Sequence, residues 1–339
     1  MASLLAADIG GTKSDLAVFE ESAGGLKLLV QKRLRNSQFT GAEEVIEDFL
    51  SSCRHRPETA CIAVAGVVAG DRVQLTNLPW VLDCRILEKR FAFRRVQLIN
   101  DLTAVAAALP HLCPADLALV QAGTADGGEV RGIIAPGTGL GEGLLVKVDN
   151  RIFARGSEGG HCDFAPVDDE QAALLAFMRQ KQRPVSYETL ISGPGLAHLY
   201  QFAKSYHQLP ETAAIAEAIA RAADPIPVIV EGALAADGCP LCRRTVDLFL
   251  AILGSETGNL ALKLYARGGM YLGGGILPRL IGKVSFAGFL QAFHAKGPME
   301  ALMRSIPVQV IKRSDAALFG AAHFGRDHLP GRAGDDPRG

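Results

Sequence analysis

The amino-acid sequence predicts an α/β protein of two domains, each organised around a mostly parallel sheet. Through the first third of the chain, strand-length apolar segments alternate with helix-length amphipathic ones, a pattern that builds parallel sheets. Near the start, Leu4-Leu5-Ala6-Ala7-Asp8-Ile9-Gly10-Gly11-Thr12-Lys13-Ser14-Asp15-Leu16-Ala17-Val18-Phe19 sets a Gly-Gly reversal between two apolar runs, which reads as a β-hairpin. About 125 residues later, Gly132-Ile133-Ile134-Ala135-Pro136-Gly137-Thr138-Gly139-Leu140-Gly141-Glu142-Gly143-Leu144-Leu145-Val146 repeats the pattern, which marks an internal duplication with one loop in each half.

The opening hairpin is also the first candidate site. Its glycines let backbone N–H groups approach an anion, Thr12, Lys13 and Ser14 add hydroxyl and ammonium donors, and Asp8 stands where Mg²⁺ or its water shell could be held. It is not a Walker A loop, because Lys13 follows Thr12 rather than Gly. By itself the hairpin is equally compatible with a turn whose glycines only satisfy backbone geometry.

The whole chain narrows the classes of function. It has 339 residues, 48% hydrophobic and 21% charged, with a formal net charge of -1, so both cores can be substantial and no basic surface for nucleic acid is expected. No apolar run reaches the roughly 18 residues of a membrane span, and residues 1–7 carry neither a positive n-region nor a cleavage signature, so a cytoplasmic protein is expected. Seven scattered cysteines fit reduced thiols. Cys239-Pro240-Leu241-Cys242 has metal or redox spacing, but no second pair accompanies it, and it reads as two loop thiols.

In order, the sequence predicts a third strand over residues 27–33, a helix over 42–53, strands over 59–66 and 72–76, then Asn77-Leu78-Pro79-Trp80 and a strand over 94–99. Asp101 opens an Ala-rich helix over 102–109 that Pro110 stops, and a domain boundary falls within 112–116. A strand over 117–121 precedes the second hairpin. Helices are expected over 171–180, 196–206, 210–222, 226–236 and from about 245 to 265, the second of these starting at Ser192-Gly193-Pro194. A strand over 269–272 empties into Gly273-Gly274-Gly275-Ile276, a strand over 308–311 and a helix over 316–324 close the fold, and the polar Gly/Pro-rich stretch 331–339 is expected to be disordered.

Asp8-Ile9-Gly10-Gly11-Thr12-Lys13, Ile99-Asn100-Asp101, Gly137-Thr138-Gly139-Leu140-Gly141, Ser157-Glu158-Gly159-Gly160-His161-Cys162-Asp163-Phe164-Ala165-Pro166, Glu188 with Ser192-Gly193-Pro194-Gly195, and Gly273-Gly274-Gly275-Ile276 together resemble the motif series of bacterial glucokinases, most nearly the proteobacterial type. The motifs run in family order over residues 4–325. The resemblance implies the actin-like ATPase fold, two ribonuclease H-like domains with nucleotide and sugar meeting in the cleft between them. It places a small domain at 1–112, joined by a returning helix near 304–325, and a large one at 113–303. It implies that Asp8, Gly10, Gly11, Thr12, Lys13, Gly137, Thr138, Gly139, Gly273, Gly274 and Gly275 bind ATP, with Mg²⁺ at Asp8 through water. It implies that Asp101 is the catalytic base and that Asn77, Asn100, Asp101, Glu158, His161 and Glu188 hold the sugar.

Each of these has a plainer reading beside it. Asp101 ahead of an Ala-rich helix is a good N-cap. His161 could be an ordinary loop histidine and Glu188 a surface acid, while zinc at His161, Cys162 and Asp163 is disfavoured because neighbours in one loop do not give tetrahedral spacing. A sugar presents a ring of hydroxyls that both donate and accept, which carboxylates and an imidazole suit. Pro136 removes one backbone donor from the second phosphate loop. The expected activity is transfer of the γ-phosphoryl group of ATP to the 6-hydroxyl of D-glucose, by a homodimer as in the family. Other hexoses or amino sugars, polyphosphate as donor, a sugar-sensing regulator without turnover, and a chaperone-like ATPase are the rivals. The Gly273 loop favours a nucleoside donor, the Glu158, His161 and Glu188 set favours glucose, and the Asp101 carboxylate with no helix-turn-helix ahead of Leu4 disfavours the regulator.

Overall fold

The computed structural model describes residues 3–22, 25–124, 128–149, 151–235 and 238–329; the stretch 331–339 lies outside them. The chain forms two compact units, one of Met1–Cys113, Val148–Gly156 and Arg313–Gly339, the other of Pro114–Lys147 and Ser157–Lys312. The first unit therefore takes back residues 148–156 and resumes at Arg313, later than the sequence suggests, because the intervening strand stays in the second unit's sheet.

In the first unit β1 (Ser3–Ile9) pairs antiparallel with β2 (Lys13–Ser22), and β2 with β3 (Gly25–Arg35). On its other side β1 runs parallel to β4 (Thr59–Val64). A separate ribbon is made by β5 (Arg72–Gln74) and β6 (Val81–Asp83), and β7 (Arg95–Asn100) completes the sheet parallel to β4. The sheet order is β3-β2-β1-β4-β7. Leu5, Ala6, Ala7 and Ile9 of β1 and all six residues of β4 are buried, so these strands read as unbroken apolar runs rather than alternating ones. Helices Asp101–Ala108 and Ala316–His328 pack together, the latter also against β1 and β4. Trp80, the single tryptophan of the chain, is buried in this unit's core.

The second unit repeats the arrangement. After β8 (Leu117–Gln121), β9 (Val130–Pro136) pairs antiparallel with β10 (Leu140–Val148). After β11 (Arg151–Ser157), which but for its last residue belongs to the first unit, β12 (Met270–Leu272) runs parallel to β9 and β13 (Val308–Ile311) parallel to β12, with β8 antiparallel at the edge. The run β10-β9-β12-β13 has the senses of β2-β1-β4-β7, which is the duplication the two hairpins suggest.

The helix Pro240–Leu264 is the spine of this unit's core. It starts five residues before the sequence suggests, with Pro240 in its first turn, where a missing N–H costs nothing. Cys239 and Cys242 are therefore not loop thiols: Cys239 is the N-cap residue, Cys242 lies one turn in, and both are buried. Burial, then the neighbouring Cys239, pushes the Cys242 thiol up to about 12. Among the described residues no helix is long and apolar enough to cross a membrane.

The contact of the closing helix with Asp101–Ala108 depends on Gly320, where a Cβ would stand 1.8 Å from the Ala104 carbonyl oxygen. Gly320→Ala is expected to lower stability by about 2 kcal/mol or more, since rigid backbone must move. Gly288→Ala, in the helix Ala287–His294 with nothing within 4 Å of the added methyl, is expected to raise stability by up to about 1 kcal/mol. Thermal and urea unfolding of the two variants measure the contrast; equal effects would show that the Gly320 contact does not constrain the fold.

Candidate active site

In the first unit the expected residues gather at the carboxyl ends of β1, β4 and β7, where open α/β sheets bind ligands. The tip of the first hairpin is closed by Gly10 N–H donating to the Lys13 carbonyl at 3.1 Å. Asn36, just past β3, then pins it. Its backbone N–H donates to the Thr12 carbonyl at 3.0 Å and its Nδ2 to the Gly10 carbonyl at 2.8 Å, while its Oδ1 accepts the Ser14 hydroxyl at 2.7 Å. Ser14 is fully buried and its hydroxyl is spent on Asn36, so it is not a phosphate donor as the sequence suggests. Thr12 and Lys13 remain exposed. Asn77 lies against the tip, its Cβ 3.1 Å from where a Cβ on Gly11 would be.

Asn100 caps the helix Asp101–Ala108. Its Oδ1 accepts the N–H groups of Leu102 at 2.9 Å and Thr103 at 3.3 Å, and its Nδ2 donates to the Gly66 carbonyl at 3.2 Å. This corrects one expectation: the cap is Asn100 rather than Asp101. The Asn100 amide keeps a second N–H beyond the one given to Gly66, so capping the helix is compatible with a contact to sugar. Asp101 is the first helical residue, half-buried, and its Oδ1 accepts the Leu102 N–H at 2.9 Å. The positive end of the helix favours its ionised form.

Asp8 faces Asp15 directly across β1 and β2. Arg33, opposite Asp15 on β3, takes that carboxylate in a two-pronged bond, Nε to Oδ1 at 2.6 Å and Nη2 to Oδ2 at 3.0 Å. Asp8 has no such guanidinium. Burial first, then the carboxylates of Asp101 and Asp15, push its pKa up to about 7 against the pull of Lys13 and Arg33. Excess negative charge at Asp8 and Asp101 is what a divalent cation would relieve, and one or two carboxylates completed by water and phosphate oxygens are the usual holding set for Mg²⁺. The residues fit that ion. A protein-only cage is a different matter: among the described residues no three His, Cys, Asp or Glu side chains stand together as a metal site.

In the second unit the hairpin tip Gly137–Gly139 and the triple glycine are neighbours. Gly273 N–H donates to the Ile134 carbonyl at 2.8 Å, and Gly274, with φ +82°, has the Pro136 carbonyl oxygen 2.0 Å from where a Cβ would be. Only glycine serves at 274. Gly137 N–H closes the tip onto the Gly139 carbonyl at 2.8 Å, its own carbonyl accepts Gly193 N–H at 2.7 Å, and Thr138 is exposed.

Glu188 belongs to the short helix Tyr187–Leu190 and is not an unattached surface acid. Its Oε2 accepts the Leu140 N–H at 2.8 Å, bracing the hairpin, and its Oε1 lies 3.9 Å from His161 Nδ1. On the other side of the ring, His161 Nε2 is 3.9 Å from Glu158 Oε2. At 3.9 Å neither contact is a hydrogen bond. The imidazole stands between two carboxylates with polar atoms converging, in a loop exposed enough to meet a polar ligand.

Three features were missed by the sequence reading. Asn36 gave no signal beyond its type, since its partners lie on the other side of two turns. The Asp15–Arg33 pair needed the β2–β3 register. Glu142 needed the strand's facing: on β10 it points inward and is 2% exposed. Burial, then Glu256, pushes its carboxyl from the ordinary 4.5 up to about 7. The folded protein thus keeps a proton that the unfolded chain gives up near pH 4.5, so stability present below that pH falls as pH rises toward 7. Glu142→Gln is expected to remove this slope, shrinking the stability difference between pH 5 and pH 8 by roughly 1–3 kcal/mol in urea unfolding. An unchanged slope would mean that Glu142 is ionised in the folded state.

The family model described as Glucokinase matches residues 5–328. A curated glucokinase of Yersinia pestis (strain Pestoides F) is 37% identical over 327 residues, covering 96% of this chain and 97% of its own. A crystal structure of a glucokinase from an Antarctic psychrotroph superposes with TM-score 0.80 at 32% identity, covering 96% of this chain and 99% of that one. A ROK family glucokinase from Streptomyces griseus, crystallised in complex with glucose and AMPPNP, shares the fold with TM-score 0.66 at 21% identity, covering 96% of this chain and all of that one. With its duplicated strand pattern, its two glycine-tipped hairpins and a full-length match to that family model, the chain belongs to the glucokinase family and has the actin-like ATPase fold of the sugar kinases.

Proposed function

We propose that the protein transfers the γ-phosphoryl group of ATP to the 6-hydroxyl of D-glucose, giving glucose 6-phosphate and ADP. The observation that carries the reading is the convergence of Glu158 and Glu188 on the two ring nitrogens of His161. Family membership and the neighbour holding glucose and AMPPNP support the two substrates. Mg²⁺ as the ion at Asp8, a cytoplasmic location and a homodimer belong to the same reading, the last two resting on the resemblance alone.

The chain's own residues divide the work. Asp101 accepts the proton of the attacking 6-hydroxyl as its oxygen bonds to the γ-phosphorus and the bond to the bridging oxygen of ADP breaks. Its low basicity is adequate, because phosphoryl transfer has a loose transition state in which placement matters more than base strength. Backbone N–H groups and side chains at the tips 10–13 and 137–139 receive the phosphates, and the 273–275 loop gives the nucleoside a surface without side chains. Mg²⁺, held at Asp8 through water, would supply charge neutralisation on phosphate oxygens. Glu158, His161 and Glu188, with the exposed Asn77, pair with sugar hydroxyls, so an epimer leaves one of them unpaired.

Asp101→Asn tests the catalytic role cleanly because the helix is capped by Asn100. The thermal midpoint is expected to stay near that of the parent, while kcat falls by about 10²-fold or more with glucose still bound. A kcat within about tenfold of the parent, with binding intact, would overturn the general-base role. For the sugar set, assay with a panel of hexoses should show His161→Ala weakening glucose by about 1–3 kcal/mol and narrowing its lead over epimers, with ATP barely affected. Equal losses for all sugars and for ATP would identify His161 as structural.

A further inference from the structure

Glu142 lies beneath the loop that carries Glu158 and His161. A Cβ on Gly159 would stand 1.9 Å from Glu142 Oε2, so the loop has glycine at the one place where the buried carboxyl rises under it. Among the described residues, Glu142 Oε1 has no hydrogen-bond partner. Its charged surroundings are Glu256 and Lys263. Glu256, wholly buried in the helix Pro240–Leu264, accepts Asn259 Nδ2 on Oε2 at 2.8 Å, and its Oε1 lies 3.8 Å from Lys263 Nζ. Asn259 also reaches the Tyr187 hydroxyl at 3.2 Å and accepts Lys296 Nζ on its Oδ1 at 2.7 Å. Tyr187 adjoins Glu188, and Glu188 braces Leu140, two residues before Glu142.

Glu142 supports the loop holding two of the sugar-facing side chains, while its neighbour Glu256 is tied through Asn259 to the residue beside the third. An apolar side chain would fill position 142 with less desolvation cost, because a buried carboxyl with an unpartnered oxygen is a liability to stability. The buried acid therefore has a use other than packing.

We propose that Glu142 is a positioning residue for sugar recognition: seated under Gly159, in buried surroundings that include the charge of Glu256, which Asn259 ties to Tyr187, it sets Glu158 and His161 at the right height against Glu188. This rests on the sugar-binding reading of those three side chains. Glu142 need not touch the substrate. Its carboxyl, pushed up to about 7 by burial and by Glu256, carries its proton below that pH and is then a neutral polar prop, which an amide of the same shape can replace.

Steady-state kinetics of the full chain with glucose and MgATP test this, with His161→Ala as reference. Glu142→Leu, which removes the orphan oxygen, should be at least as thermally stable as the parent yet raise the glucose KM about tenfold, with kcat and the ATP KM within about twofold. Glu142→Gln should restore the glucose KM to within about twofold of the parent. Gly159→Ala, whose methyl presses on the same carboxyl, should raise the glucose KM by itself, and it decides the matter if the leucine variant is not recovered folded. A parental glucose KM in Glu142→Leu or Gly159→Ala, or equal rises for glucose and ATP, overturns the proposal. If His161→Ala leaves the glucose KM unchanged, the sugar-binding reading itself fails and the proposal falls with it; if only the Glu142 and Gly159 variants are silent, that reading stands.

Discussion

Two acids face each other across the first hairpin, and the arrangement holds because a third strand answers one of them. Like charges directly opposite in antiparallel strands repel. Arg33 satisfies Asp15 with two bonds and gives Asp8, at the end of the strand that leads into the glycine tip, only its more distant field. The sheet is thereby electrically settled on the Asp15 side and unsettled on the Asp8 side. The proposed holding of Mg²⁺ at Asp8 draws on this asymmetry, since a fully compensated carboxylate would have nothing to offer an ion.

The two units solve one mechanical problem in two ways. Neither hairpin tip is left to hold its own shape: in each unit residues outside the hairpin fasten it. Asn36 fastens the first through the carbonyls of Gly10 and Thr12. Glu188 and Gly193 fasten the second through Leu140 N–H and the Gly137 carbonyl. Neither clamp uses the tip's exposed side chains, Lys13 and Thr12 in one and Thr138 in the other. The strand pattern is duplicated, but the clamps are not.

Much of this was legible in the sequence wherever the signal was local. The glycine-centred hairpins, the Pro-started helix at Ser192 and the strand before Gly273 are encoded by residues next to one another in the chain, and the structure has them. The cap at Asn100 was misplaced by one residue for an equally local reason: Asn and Asp are near-equal N-caps, so adjacent candidates cannot be ranked by type. Side chains whose partners lie far along the chain were not legible. Ser14 looked like a phosphate donor until the partner at position 36 was known, and Cys239 and Cys242 looked like loop thiols because Pro240 starts the long helix as readily as it interrupts one. Glu142 sits in an apolar strand as a single acid, and only the facing of that strand shows it to be buried.

The single tryptophan gives the molecule an asymmetry of another kind. Trp80 is enclosed in the core of the first unit, and the described second unit, for all its buried phenylalanines, has no indole. Intrinsic indole emission is therefore a spectator of one half of the chain, and an unfolding curve followed by fluorescence records the melting of that half alone. Circular dichroism at wavelengths sensitive to helix is dominated by the other half, where the long helix Pro240–Leu264 and most of its companions lie. Whether the two halves lose their structure together or in turn can thus be read from the unmodified protein, by laying one transition over the other.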